Sequence, residues 1–292
     1  MAEHPASAHN AKGLIMTKEW FITGASRGLG KAIALAALAA GHKVVATGRN
    51  KTAVRDALGA PYGLLPVTLN VTHPGDAEAA VGEAVERFGR IDVLVNNAGY
   101  GLVGALEETT DEEFAAQFAT NVFGVVAVSR AVLPVMRAQR AGHIFNISSA
   151  AGVAGFAGAS AYSASKFAVE GLSEALAQEV APLGIKLTIV EPGYFRTEFL
   201  TAASVNFARK VIDDYDATVG VARRGAADMN GKQGGDPDKL AQALLSLAAA
   251  PTPPLRFSAG EDSVGLLEHT LAAKAQELAQ WRSLSVSLAH DR

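Results

Sequence analysis

Short apolar runs alternate along this chain with Ala-rich stretches of helical periodicity. The runs EWFIT (19–23), KVVAT (43–47), LLPVTLN (64–70), IDVLVNNAG (91–99), HIFNISS (143–149), IKLTIVEPG (185–193) and PLRFS (254–258) read as strands. Their near-continuous apolar character is that of strands buried on both faces. Pro66 lacks the N–H that a ladder needs, so it is expected at a strand end or a bulge. GLGKAIALAALAAG (28–41) reads as a helix stopped by Gly41, and PGDAEAAVGEAVERFG (74–89) as an amphipathic helix with a glycine stop. Long helices are expected over about 111–138 and 161–182. DPDKLAQALLSLAAAP (236–251) places Asp236 as N-cap, Pro237 at the first helical position and Pro251 just past the end. A last helix is expected over about 262–282, with Val264, Leu267, Leu271, Leu278 and Trp281 as its apolar stripe.

Helices between buried strands imply a parallel sheet covered on both faces. The right-handed crossover then gives a doubly wound, Rossmann-type α/β fold of about seven strands. No linker divides residues 17–292, which read as one domain. Residues 194–235 break the alternation with polar and glycine-bearing sequence. They are expected to form a mobile substrate loop with one or two short helices, and 262–292 a C-terminal helical extension.

Composition narrows the chemistry. Of the 292 residues 49% are apolar, enough for a sizeable core, and a net charge of −3 gives no basic field for nucleic acid. With no cysteine, disulfides and thiolate metal sites are excluded. The histidines form no ligand-spaced cluster, so no metal is expected. His4 and His9 lie in residues 1–16, which read as a disordered extension without a signal-peptide pattern. No apolar run reaches the length of a membrane span without charge or glycine interruption. The expectation is a cytoplasmic protein.

TGASRGLG (23–30) joins the first strand to the first helix. Gly24 permits the tight turn, Gly28 close approach of a pyrophosphate, and Gly30 packing of helix on strand. The helix N-terminus adds free N–H groups and the positive end of its dipole. Ser26, Arg27 and Leu29 complete the candidate phosphate turn. The position where an acid would hold the ribose 2′-hydroxyl is Gly48, followed by Arg49. Without that carboxylate, Arg27 and Arg49 can clamp a 2′-phosphate. NADP(H) is therefore expected in preference to NAD(H), which remains possible.

Together TGASRGLG, NNAG (96–99), Asn121, NISS (146–149), YSASK (162–166) and PGYFRT (192–197) closely resemble the compact, single-domain branch of the short-chain dehydrogenases/reductases, over roughly residues 17 to 198. The resemblance implies a catalytic set of Asn121, Ser149, Tyr162 and Lys166. Ser149 is chosen over Ser148 because it lies thirteen residues before Tyr162, the family's usual interval. It also implies that Asn97, Ala98 and Gly99 border the adenosine ribose, and that Pro192, Gly193, Phe195 and Thr197 line the nicotinamide side. Asn70 and Val71 stand where the family often has an Asp facing the adenine, which leaves the strength of that contact open.

Tyr162 and Lys166 lie one helical turn apart. In the implied mechanism the lysine ammonium and an oxidised nicotinamide favour the phenolate. Tyr162 exchanges a proton with the substrate, Ser149 hydrogen-bonds the reacting oxygen, and Lys166 also holds the nicotinamide ribose. Asn121 links Lys166 to solvent through water. The expected activity interconverts a ketone or aldehyde and an alcohol. The alternatives are a cofactor-binding regulator without turnover and a cofactor-dependent epimerase or dehydratase. Tyr100, Val153, Phe156, Phe199, Leu200, Val205, Phe207 and Val211 either contact a small, neutral, moderately apolar substrate or pack the loop. Arg209, Lys210, Arg223 and Arg224 read as solvated. In the resembled family the two long helices pair across a two-fold axis, so the resemblance, together with Ala-rich faces that could approach closely, implies a homodimer or homotetramer.

Overall fold

The computed structural model describes residues 17–201 and 204–290. The expected N-terminal extension, residues 1–16 with His4 and His9, lies outside the described residues. The chain runs β1 (Glu19–Ile22), α1 (Gly28–Ala39), β2 (Lys43–Gly48), α2 (Lys51–Leu58), β3 (Leu64–Thr68), α3 (Asp76–Phe88), β4 (Val93–Asn96), β5 (Gly101–Val103), α4 (Asp111–Phe118), α5 (Gly124–Gln139), β6 (Gly142–Ile147), α6 (Ser160–Val180), β7 (Ile185–Pro192), β8 (Val205–Phe207), α7 (Val221–Met229), α8 (Pro237–Ala249), β9 (Arg256–Ala259) and α9 (Glu261–Val286).

Seven strands form one sheet in the order β3-β2-β1-β4-β6-β7-β9. All of its pairs are parallel. This is the doubly wound arrangement that the alternation predicts. The order switches between β1 and β4, which opens a crevice at their C-terminal ends. Burial on both faces shows within single strands. Trp20 and Ile22 of β1 join one core cluster with α1 and α8, while Phe21 joins the other with α3, α5 and α6.

Local chemistry sets the ends of the helices. Asn50 caps α2 by accepting from the Thr52 and Ala53 N–H groups, and Asp236 caps α8 from the predicted position. Thr110 and Glu113 form a capping box on α4. Gly89, at φ +79°, closes α3.

One expectation changes, and two features of the helices emerge. Pro66 sits inside β3, not at its end; β3 is an edge strand, where a missing donor is tolerated. The stripe on α9 stays largely uncovered by the described residues: Val264, Leu271, Leu278 and Trp281 are exposed, and Ser263 is the helix's buried residue. The stretch Asp111–Gln139 is long and apolar enough, by length and composition, to cross a membrane. Here Val125, Val128, Val132 and Met136 pack beneath the sheet instead. Residues 194–235 fold as short turns, β8 paired with β5, and α7.

Gly30 binds this frame together. A Cβ there would lie 2.5 Å from the Gly24 carbonyl oxygen and 2.5 Å from Asn97 Nδ2. Gly30→Ala is therefore expected to destabilise the protein by about 1–3 kcal/mol, the usual range for overpacking, measured by urea unfolding.

Candidate active site

The crevice is closed at its base by contacts between the glycine turn and the residues after β4. Thr23 Oγ1 accepts from the Asn97 and Ala98 N–H groups, each at 2.9 Å. Asn97 Nδ2 donates to the Thr23 and Gly24 carbonyls at 2.8 and 3.2 Å. Gly24 and Gly28 take φ of +66° and +55°, conformations that favour glycine. Arg27 precedes α1 in extended conformation and gives no side-chain cap. The first amides of α1 are thereby free of their own helix, and Gly28 N–H donates to Glu198 Oε2 at 3.2 Å. A carboxylate resting on this helix start shows that the turn accepts an anion, so it fits a phosphate-bearing cofactor. Thr197 stands beside Gly28, 3.7 Å from where a Cβ would be. Leu29 packs toward the core, so its backbone alone faces the turn.

At the end of β2, a Cβ on Gly48 would lie 2.8 Å from Val54 Cγ2 and 4.0 Å from Ser26 Oγ, so a side chain there would have to displace the Val54 methyl. Arg27 and Arg49 are both exposed at this rim. Asn70 uses its carbonyl oxygen locally, accepting from Thr72 N–H at 3.2 Å and Thr72 Oγ1 at 3.0 Å. Val71 packs against Gly124, where a Cβ would lie 2.7 Å from its Cγ2.

Asn121 lies in a π-helical turn, Ala119–Phe123, between α4 and α5. Its amide accepts from Tyr100 N–H at 3.1 Å and donates to the Tyr100 carbonyl at 3.0 Å and to Ser165 Oγ at 3.1 Å. Its direct hydrogen bonds thus go to Tyr100 and Ser165, not to Lys166. Gly99 abuts the same side chain; a Cβ there would lie 3.2 Å from Asn121 Oδ1. Sequence reading passed over Asn96 and Asn146, opposed in register on β4 and β6. They bond to each other at 2.9 Å and onward to Ser129 and Ser173. That buried polar ladder holds the sheet beneath the site.

Ser149 follows β6 and Tyr162 opens α6, and the Ser149 hydroxyl is near enough to draw the Tyr162 phenol downward. Lys166 Nζ donates to the Ile147 carbonyl at 2.8 Å and lies 5.7 Å from the centroid of the Tyr162 ring. Burial pushes the Tyr162 phenol up to about 12, against the pull of Ser149. Burial also draws Lys166 down to about 8, and Glu170 opposes this. Glu170, one turn further on, is pushed up to about 7 by burial; Ser148 pulls it down, Glu191 adds to the rise and Arg256 opposes it. Arg256 Nε lies 3.3 Å from Glu170 and 3.4 Å from Glu191.

The Phe199 ring lies 6.1 Å from that of Tyr162. Tyr100, Val205 and Phe207 line a cavity of about 790 Å³ with Leu102, Glu113 and Arg209; Ser149 and Tyr162 do not line it. Phe156 and Val211 are exposed, while Val153 and Leu200 are half-buried. Arg223 departs from its expected solvated state. It pairs with Glu108, whose side chain is fully buried and also accepts from the Ala105 and Ile212 N–H groups, both at 2.8 Å. Burial alone would raise the Glu108 pKa, but these donors and Arg223 hold it below the usual carboxylate range. The pair is separated by 115 positions and carries no local sequence signal. Beyond β7, Pro192 ends the strand, Gly193 N–H donates to the Ala259 carbonyl at 2.9 Å, and Phe195 pairs with Gly235.

A family profile described as short chain dehydrogenase matches residues 18–206. The chain is 43% identical to oxidoreductase BOA17 of Botryotinia fuckeliana, over 94% of this chain and all of that protein. It is 41% identical to a 3-ketodihydrosphingosine reductase of Bacteroides thetaiotaomicron, over 87% and 90% of the two chains. A solved short-chain dehydrogenase from Streptomyces avermitilis matches with a TM-score of 0.87 at 42% identity, covering 94% of this chain and all of that one. Two further solved structures match less closely. One, from Burkholderia phymatum in complex with NAD, has a TM-score of 0.75 at 25% identity and covers 86% and 92% of the two chains. ElxO with NADP bound has a TM-score of 0.71 at 27% identity and covers 86% of this chain and all of that one.

The Glu170 environment makes a prediction for stability. A carboxyl raised from 4.5 to about 7 on folding keeps a proton that the unfolded chain has released. Its contribution to stability is thus present below pH 4.5 and lost as pH rises through 7. Glu170→Gln is expected to flatten that decline, so that its stability relative to wild type improves between pH 5 and pH 8. Urea unfolding across this range checks it.

Proposed function

The chain belongs to the short-chain dehydrogenase family, and within it we propose an NADP(H)-dependent oxidoreductase that reduces a ketone or aldehyde to an alcohol and runs the reverse. The observation that carries this reading is the convergence of Ser149, Tyr162 and Lys166 beside an anion-accepting glycine turn. The absence of an acid at Gly48, with Arg27 and Arg49 at the same rim, supports a 2′-phosphate. Gly24, Ser26, Arg27, Gly28, Leu29 and Gly30 would hold the phosphates. Asn97, Ala98 and Gly99 would border the ribose, with Asn70 and Val71 at the adenine and Pro192, Gly193, Phe195 and Thr197 along the nicotinamide.

When bound, the cofactor supplies or accepts the hydride. Ser149 donates a hydrogen bond to the substrate oxygen as negative charge grows there. Tyr162, protonated in this environment, delivers the proton. Bringing its pKa from about 12 to neutrality takes about 7 kcal/mol at about 1.4 per unit. The Lys166 ammonium supplies part of that by favouring the phenolate that remains. Asn121, through water, would reconnect Lys166 with solvent. The aromatic Phe199 beside Tyr162 suits a neutral, moderately apolar carbonyl compound, and one relative is named as a 3-ketodihydrosphingosine reductase. Exposed Phe123 and Phe167, at the start of α5 and on α6, support a homodimer or homotetramer through these helices.

Tyr162→Phe is expected to lower turnover about 10²–10⁴-fold while leaving NADPH binding intact, by stopped-flow rates and fluorescence titration; full activity in this variant would sink the mechanism. Arg49→Ala is expected to raise the NADPH KM about tenfold or more and leave that for NADH nearly unchanged. Equal or better use of NADH by the wild type would overturn the cofactor preference.

A further inference from the structure

The last helix is anchored where the proposed chemistry takes place. Ser263 Oγ, buried in the first turn of α9, donates to the Glu191 carbonyl at 2.7 Å. Its neighbour Asp262 accepts from Tyr194 N–H through Oδ2, also at 2.7 Å. Together these bonds bracket the Pro192–Gly193 turn, one on each side. Gly193 N–H in turn donates to the carbonyl of Ala259, just ahead of the helix.

Two glycines leave space around this carboxylate, and Gly260, at φ +100°, also takes a backbone conformation that favours glycine. A Cβ on Gly193 would fall on the Asp262 carboxylate, whose Oδ1, Cγ and Oδ2 are the three heavy atoms nearest to it. Gly193 is not among the glycines with positive φ, so room, not backbone freedom, accounts for it. A Cβ on Gly260 would lie 2.6 Å from Asp262 Oδ1. Among the described residues Asp262 has no ion-pair partner. Its carboxylate is spent on one backbone N–H.

What it steadies is the segment that crosses the site. From Gly193 the chain passes Phe195, then Thr197 beside Gly28, then Phe199 against Tyr162. Phe195 also reaches toward Gly260, with its Cε2 3.8 Å from where a Cβ there would be. We propose that Asp262 and Ser263 are positioning residues that set the Pro192–Thr197 wall, and through it the nicotinamide half of the cofactor. This makes the start of the C-terminal helix part of the cofactor site, and it rests on the dinucleotide reading given above.

Fluorescence titration with NADPH and competition by 2′,5′-ADP, which carries the adenosine end alone, test it. Asp262→Ala is expected to weaken NADPH binding about tenfold, the scale of one lost charge-assisted hydrogen bond, and to leave 2′,5′-ADP binding within about twofold. Asp262→Asn, whose amide oxygen still accepts from Tyr194 N–H, should restore most of the affinity. Gly193→Ala should weaken NADPH binding in the wild type and add nothing in the Asp262→Ala background, where the carboxylate it meets is gone. Gly193→Ala and Asp262→Asn also keep the test open should Asp262→Ala fold poorly. Wild-type NADPH affinity in both Asp262→Ala and Gly193→Ala overturns the proposal and leaves the dinucleotide reading standing. Equal loss of NADPH and 2′,5′-ADP also overturns it, by showing a general loosening. A wild-type protein that binds neither NADPH nor NADH removes the dinucleotide reading and this proposal together.

Discussion

The site hangs on one junction, where the Thr23–Gly24 peptide meets Asn97 and Ala98. Thr23 Oγ1 takes two backbone donors there, and the Asn97 amide returns bonds to two carbonyls. The junction lies at the point where the strand order reverses, so β1 and β4 have no further strand between them to share polar groups above it. Those groups must be satisfied by side chains or be left bare in a crevice. By satisfying them, Thr23 and Asn97 hold the glycine turn open at a fixed height. The amides of α1 then face the same space as Tyr162. Gly24 and Gly30 follow from this closeness, since any side chain at either would press on the junction.

Above the junction, burial works against the charged forms of the groups in and behind the site. It raises the tyrosine, lowers the lysine and raises Glu170. The fold compensates locally: Ile147 lends its carbonyl to Lys166, and Arg256 is shared between Glu170 and Glu191. A dry setting of this kind makes each remaining interaction stronger than it would be in water. It leaves Tyr162 firmly protonated in the chain by itself.

Most of the sheet was legible because its strands are apolar throughout, a pattern that surface segments do not produce. The glycine turn and the Tyr162–Lys166 spacing were legible because both are local. What escaped depends on distant partners or on weak patterns. The helix α2 buries only Val54 and Leu58, and β5 and β8 are three residues each, too short for a period to show. Pro66 was placed by the rule for central strands, but position in the sheet order decided the matter. Arg223 looked solvated until Glu108, far away in sequence, was brought beneath it. The apolar stripe of α9 was legible from its periodicity, but nothing local showed that the helix is held by polar bonds in its first turn.

The π-helical turn at Ala119–Phe123 has a consequence for phase. An ordinary helix advances about 100° per residue, so one residue inserted into a turn rotates everything after it by that angle. The preceding helix closes on β5 while α5 lays Val125, Val128, Val132 and Met136 under the sheet. Removing one residue from the turn would leave a smoother helix whose second half faces the wrong way. The irregularity at Asn121 is thus also the gear that lets one continuous stretch serve two surfaces.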